Sequence, residues 1–117
     1  MVAEINSRVV GWCTAGKSRD EDANKTTGGI YGIYVHPEFI GQGVGSKLME
    51  YGLNILRKDG YKKATLWVLN TNDKTRKRYE SKGWKVEGKT KVDKRSLSLR
   101  DKREDFELNE TRYIIDL

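Results

Sequence analysis

The sequence predicts an α+β (mixed α/β) fold, with about six strands and two main helices in a chain of 117 residues. Three observations carry this. Short apolar runs bounded by glycine, proline or polar clusters recur along the chain, as strands do. Two segments have helical rather than alternating spacing. Each of those segments follows a strand-like run through a short turn.

Val2 to Ile5 reads as a short strand and Arg8 to Ala15 as a second, with Asn6-Ser7 turning between them as a hairpin. Lys17 to Thr27 is polar and without apolar period, and Lys17-Ser18-Arg19-Asp20-Glu21-Asp22 is expected to be mobile. Gly28-Gly29 opens a third strand, whose apolar run Ile30-Tyr31-Gly32-Ile33-Tyr34-Val35 is stopped by His36-Pro37. Gly41, Gly43 and Gly45 follow at every second position, and a helical pattern begins at once. Val44, Leu48, Tyr51 and Ile55 fall on one line, Met49, Leu53 and Leu56 on the next. This helix runs to about Lys58, with Gly60 as its stop. Lys63 to Leu69 is a short buried strand. Asn72 suits the N-cap of a second helix, Asp73 to Lys82. Gly83 suits the position just past its end, with Trp84 packing back on Tyr79 one turn earlier. Trp84 to Val92 is an amphipathic fifth strand. Lys94 to Asn109 is strongly charged and is expected to hold a long hairpin connection; Leu97, Leu99, Phe106 and Leu108 are its large apolar residues. Thr111 to Leu117 is a final strand.

Length sets one domain, 1–117, able to bury a core with a thin margin. Met1-Val2-Ala3-Glu4 has no apolar signal-peptide core, and no apolar run approaches the length of a membrane span, so no membrane is expected. The lone cysteine, Cys13, can form no disulfide within the chain, which suits the cytoplasm. It lies in the apolar pattern Val9-Val10-Gly11-Trp12-Cys13 and reads as a small core residue rather than a nucleophile. The net charge is +6, and it thickens between Asp73 and Lys89. A solvated helix face accounts for that stretch. Nucleic acid is not the expected partner, since no zinc-finger spacing, helix-turn-helix pattern or aromatic RNA-binding motif is present.

A glycine-rich turn of bare amides leading into a helix N-terminus suits an anion, best a phosphate. Two familiar phosphate loops fail on spacing. A Walker A loop ends Gly-Lys-Ser/Thr, and here the order is Gly45-Ser46-Lys47. A dinucleotide fingerprint would need glycine where Ser46 stands. A tight strand–helix turn with no ligand fits the glycines alone equally well.

The segment resembles the acetyl-CoA loop of the GNAT (general N-acetyltransferase) superfamily, whose pattern Gln/Arg-x-x-Gly-x-Gly/Ala follows a strand and precedes a helix. Gly43 and Gly45 set the register, which puts Ile40 where the family has Gln or Arg. A second family pattern lies downstream: Asn72, Tyr79, Gly83 and Trp84 stand at the family's spacing of Asn, six residues, Tyr, three residues, Gly, aromatic. The resemblance covers residues 2 to 92 and lacks the family's first strand and one or two helices, which form a wall of the acceptor cleft.

The resemblance implies a central, mostly antiparallel twisted sheet, acetyl-CoA as cosubstrate, no metal, and direct attack by a primary amine in a ternary complex. The amine would belong to a small molecule, a protein N-terminus or a lysine. The amides of Gly41, Gln42, Gly43, Val44, Gly45 and Ser46 would grip the pyrophosphate. Ile33, Tyr34 and Val35 would hold the pantetheine arm like an added strand, and a backbone N–H on that strand would serve the oxyanion. Asn72 would contact the pantetheine or cap its helix. Tyr79 would be the general acid for the leaving thiolate; the alternative is a core tyrosine under Trp84. Lys74, Lys77 and Arg78 are candidates for the coenzyme's phosphates. The glutamate that many relatives use falls on Gly29, so no base is assigned, and His36 reads as a loop residue. The alternative function is a weak or inactive acetyl-CoA-binding module needing a partner chain. A homodimer would cover the exposed sheet.

Overall fold

The computed structural model describes the backbone of all 117 residues and every side chain except those of Leu97 and Leu99. The elements run β1 (Val2–Ile5), β2 (Arg8–Lys17), β3 (Thr27–Val35), a 3-10 turn (Pro37–Phe39), α1 (Val44–Lys58), β4 (Lys63–Leu69), α2 (Asp73–Ser81), β5 (Lys85–Leu99) and β6 (Lys102–Asp116). The strands form one six-stranded sheet in the order β1-β2-β3-β4-β6-β5. The pairs β1–β2, β2–β3 and β5–β6 are antiparallel, whereas β3–β4 is parallel. The chain divides into two compact units, residues 1–66 with 115–117, and residues 67–114.

In the first unit α1 packs on β2 and β3. Its buried residues are Leu48, Met49, Gly52, Leu53 and Leu56, which lie against a core with Val10, Cys13 and Ile30. The approach is close. A Cβ on Gly11 would stand 2.6 Å from the Tyr34 carbonyl oxygen and 3.1 Å from Leu48. Tyr51, on the expected apolar line, is instead 68% exposed; an aromatic at the margin of a helix stripe keeps its polar tip in water. Burial pushes the Cys13 thiol above its ordinary pKa, against a smaller opposing pull from the N-terminal ammonium. That ammonium donates to the Cys13 carbonyl at 3.0 Å.

The polar stretch after β2 is more tied than its composition suggests. Lys17 belongs to β2, and the Ser18 N–H donates to the Thr27 carbonyl at 3.1 Å. The Asn24 side-chain oxygen accepts from the Thr26 N–H and from the hydroxyls of Thr26 and Thr27 at 2.8–2.9 Å. Arg19 lies 3.8 Å above the Tyr31 ring, whose hydroxyl donates to the Lys17 carbonyl.

In the second unit Trp84 and Tyr113 are buried. The expected hairpin at Lys94 to Asn109 is the tip of a longer one, with both arms strand up to Leu99 and from Lys102. β5 and β6 pair from Lys85↔Ile114 to Leu99↔Lys102, with an irregularity between Val86 and Thr90. Arg112, 5% exposed, donates to Glu87 at 2.5 Å across that irregularity. Among the described residues no helix is long and apolar enough to cross a membrane.

Candidate active site

β3 ends at Val35, and the next residue, His36, accepts from the Glu38 N–H through Nδ1 at 3.2 Å and so caps the 3-10 turn. The Gln42 side-chain amide donates back to the Glu38 carbonyl at 3.3 Å. Gly41 and Gly43 follow at φ +85° and +81°, a region that only glycine enters without strain. Gly43 is the N-cap of α1. The Lys47 N–H donates to its carbonyl at 3.1 Å, so the amides of Val44, Gly45 and Ser46 precede the helical ladder. No acidic residue lies in the first turn, so nothing there opposes an anion. A Cβ on Gly41 or Gly43 would meet nothing within 4 Å: the turn borders open space, and backbone conformation alone demands glycine. The side chain of Ile40, a residue 59% exposed, offers no polar atom.

Ile33, Tyr34 and Val35 pair with Cys13, Trp12 and Gly11 on β2. On its other edge β3 pairs with β4 only at Thr27↔Lys63, Gly28↔Ala64 and Gly29↔Thr65. Among the described residues, then, the last six positions of β3, Ile30 to Val35, are laddered on one edge and open on the other. A free strand edge recognises an extended chain through its main-chain N–H and C=O groups. This open edge leads directly into the glycine turn. Gly29 is buried, and a Cβ there would touch Ser18 and Tyr31 at 3.4 Å.

α2 belongs to the second unit and has no buried residue. The Asn72 side chain accepts from the Thr75 N–H at 3.4 Å, as an N-cap does. At the other end Gly83 has φ +97°, the Trp84 N–H donates to the Tyr79 carbonyl at 3.1 Å, and the Gly83 N–H donates to the Glu80 carbonyl at 3.2 Å. These are the two bonds of a Schellman cap. The half-buried Tyr79 ring lies 6.2 Å from that of Trp84 and 6.5 Å from that of Tyr113, centroid to centroid. The Tyr113 hydroxyl accepts from Arg76 Nε and donates to Glu80 Oε1, both at 3.1 Å. This hydrogen bond is the main reason that the Arg76 guanidinium sits above its ordinary pKa. Lys74, Lys77 and Arg78 are exposed.

The structure therefore groups Ile33, Tyr34, Val35 and the Gly41–Ser46 turn in the first unit, and Asn72 with Tyr79 on one helix of the second. Arg76, Glu80 and Tyr113 had no signal in the sequence, because their link spans more than thirty positions. A concavity of about 530 Å³ lined by Lys94, Arg95, Ser96, Asp105, Phe106 and Glu107 shares no residue with either group. Among the described residues no cluster of His, Cys, Asp or Glu is placed to hold a metal.

Residues 1–84 match the model of the Acetyltransferase (GNAT) family. The chain belongs to the GNAT acetyltransferase family. An uncharacterised N-acetyltransferase of Archaeoglobus fulgidus is 39% identical over 69% of this chain and 56% of its own length. A mycothiol acetyltransferase of Acidimicrobium ferrooxidans is 32% identical over 74% of this chain and 28% of its own. The chain thus spans about half, or less, of these curated relatives. Among solved GNAT-like structures, an N-acetyltransferase of Staphylococcus aureus superposes with a TM-score of 0.76 at 24% identity, over 98% of this chain and 65% of the other. The α+β architecture with a six-stranded mixed sheet and two helices is that of the GNAT fold.

Proposed function

We propose that the chain acts as one domain, 1–117, that transfers an acetyl group from acetyl-CoA to a primary amine by direct attack in a ternary complex. The observation that carries this is the open edge of β3 running into the Gly41–Gly43 turn and the N-terminus of α1. A Salmonella typhimurium protein of the same fold, 23% identical with a TM-score of 0.71, was solved with its cofactor acetyl-CoA, which supports the choice of cosubstrate.

In this reading the amides from Gly41 to Ser46 bind the pyrophosphate, aided by the helix dipole. The main chain of Ile33, Tyr34 and Val35 binds the extended arm, and one of its N–H groups stabilises the carbonyl oxygen as it becomes an oxyanion. The amine nitrogen forms a bond to the acetyl carbon, the carbon–sulfur bond breaks, and Tyr79 gives the leaving sulfur its proton. Asn72 holds the start of α2. The amine arrives neutral; the proton it loses after attack passes through water to bulk solvent, with no side chain assigned to carry it, and a proton from solvent restores the Tyr79 hydroxyl. A small molecule, a protein N-terminus and a lysine all meet the chemistry. A buried, unpaired Cys13 accords with a reducing cytoplasm, and a second copy of the chain would cover the exposed face of the sheet.

Tyr79→Phe is expected to lower turnover about a hundredfold or more while acetyl-CoA affinity stays within about twofold. Equal turnover in the variant would remove Tyr79 from the mechanism. A second reading, an acetyl-CoA-binding module that needs a partner chain, is favoured by Ile40 and by Gly29. Calorimetry with acetyl-CoA beside an assay on a panel of amines separates the two: binding without turnover on any amine selects the module.

A further inference from the structure

α2 has no fully buried residue, and its packing on the core includes the half-buried Tyr79 ring near Trp84 and Tyr113. Polar bonds to one strand add to that contact in fixing the rotation of the helix. Three residues of β6 at alternate positions, Asn109, Thr111 and Tyr113, hold α2 and the segment leading into it. The Asn109 carbonyl accepts from the Asn70 N–H at 2.8 Å. The Thr111 hydroxyl donates to the Asn70 side-chain oxygen at 2.5 Å. The Tyr113 hydroxyl bridges Arg76 and Glu80 on the helix itself, and Arg76 Nη1 also donates to the Asn70 carbonyl at 3.2 Å. Arg76 and Glu80 are one helical turn apart, so a bridge between them pins both the rotation and the rise of that turn. Tyr79 sits within it. The Tyr113 side chain is itself fully buried and is an immobile anchor.

We propose that Tyr113, through Arg76 and Glu80, is a positioning residue for Tyr79: it fixes the rotation of α2 and with it the place where the phenol is presented. This rests on the reading of Tyr79 as general acid. A group that donates a proton must be held to a fraction of an ångström, whereas the amides that bind the coenzyme's pyrophosphate belong to another element. The hydroxyl of Tyr113 therefore acts on turnover and not on cosubstrate binding.

The test is a double-mutant cycle on the full chain. Thiol release from acetyl-CoA is measured with an alanine-terminated peptide, spermidine and water as acceptors. Tyr113→Phe, which keeps the ring and removes the hydroxyl, is expected to lower kcat about tenfold or more with KM for acetyl-CoA within about twofold. Added to Tyr79→Phe it is expected to cost less than a further twofold, because the group it positions is already gone. Unchanged kcat in Tyr113→Phe, or losses that multiply in the double variant, overturns the proposal while leaving Tyr79 in place. Wild-type turnover in Tyr79→Phe alone, or no turnover by the wild type on any of the three acceptors, overturns the reading beneath it. Arg76→Gln leaves the buried ring untouched and gives the same cycle if Tyr113→Phe does not fold.

Discussion

Asn6 and Ser7 hold φ of +51° and +64°, the left-handed pair that a two-residue type I′ hairpin turn requires. Asparagine tolerates that region and serine does so at a cost, since a Cβ crowds the following carbonyl by about 1–2 kcal/mol. Ser7→Gly relieves the crowding and gives back part of the gain as unfolded-state entropy. The expected result is a rise in stability of up to about 1 kcal/mol, read as a higher urea midpoint at unchanged slope. A lower midpoint would show that the turn holds no strain at Ser7. At this scale the sequence was legible where chemistry is local. The Asn-Ser turn, the Asn72 cap and the Gly83 cap are each decided by neighbours within a few positions. Tyr51 and Ile55 fall on the apolar line of α1 and are nonetheless exposed, because periodicity places a residue on a face and says nothing of where that face ends.

The end of α2 joins local conformation to the candidate chemistry. Gly83 supplies a positive φ that lets the chain reverse and lay Trp84 against Tyr79. Gly83→Ala puts a Cβ into that conformation and is expected to cost about 1–2 kcal/mol. Because the strain falls on the turn that seats Trp84, its emission should also shift to the red as water reaches the ring. A midpoint equal to the wild type would mean that the cap contributes nothing. The two helices and first four strands could be read from the sequence to within two residues, because apolar period and Gly or Pro punctuation agree there. β5 and β6 could not. Beyond Val92 and before Thr111 their cross-strand pairs include Lys94↔Glu107 and Ser96↔Asp105, polar and opposite-charge pairs, and the apolar alternation there is limited to Leu97 with Leu99 and Phe106 with Leu108. The network at Tyr113 is invisible for a related reason: its donors and acceptors meet only once β6 lies beside α2.

At the scale of the whole chain, the first unit carries a row of apolar side chains on one face of its strands. Val2, Trp12 and Tyr34 are paired in register across β1, β2 and β3, are 42–57% exposed, and include a stacked pair with centroids 5.8 Å apart. Light scattering is therefore expected to give a mass near twice that of the chain at micromolar concentration, falling to the monomer in Trp12→Lys. A monomer at every concentration would mean that the second copy has no place in the account. Trp12 has a further use. It is the single indole of the first unit, whereas Trp67 and Trp84 both lie in the second, Trp84 at 2% exposed. With Trp67 replaced by Phe, one reporter is left in each unit. Followed together during heating, the two emissions make the chain its own gauge of whether its parts melt as one or in succession.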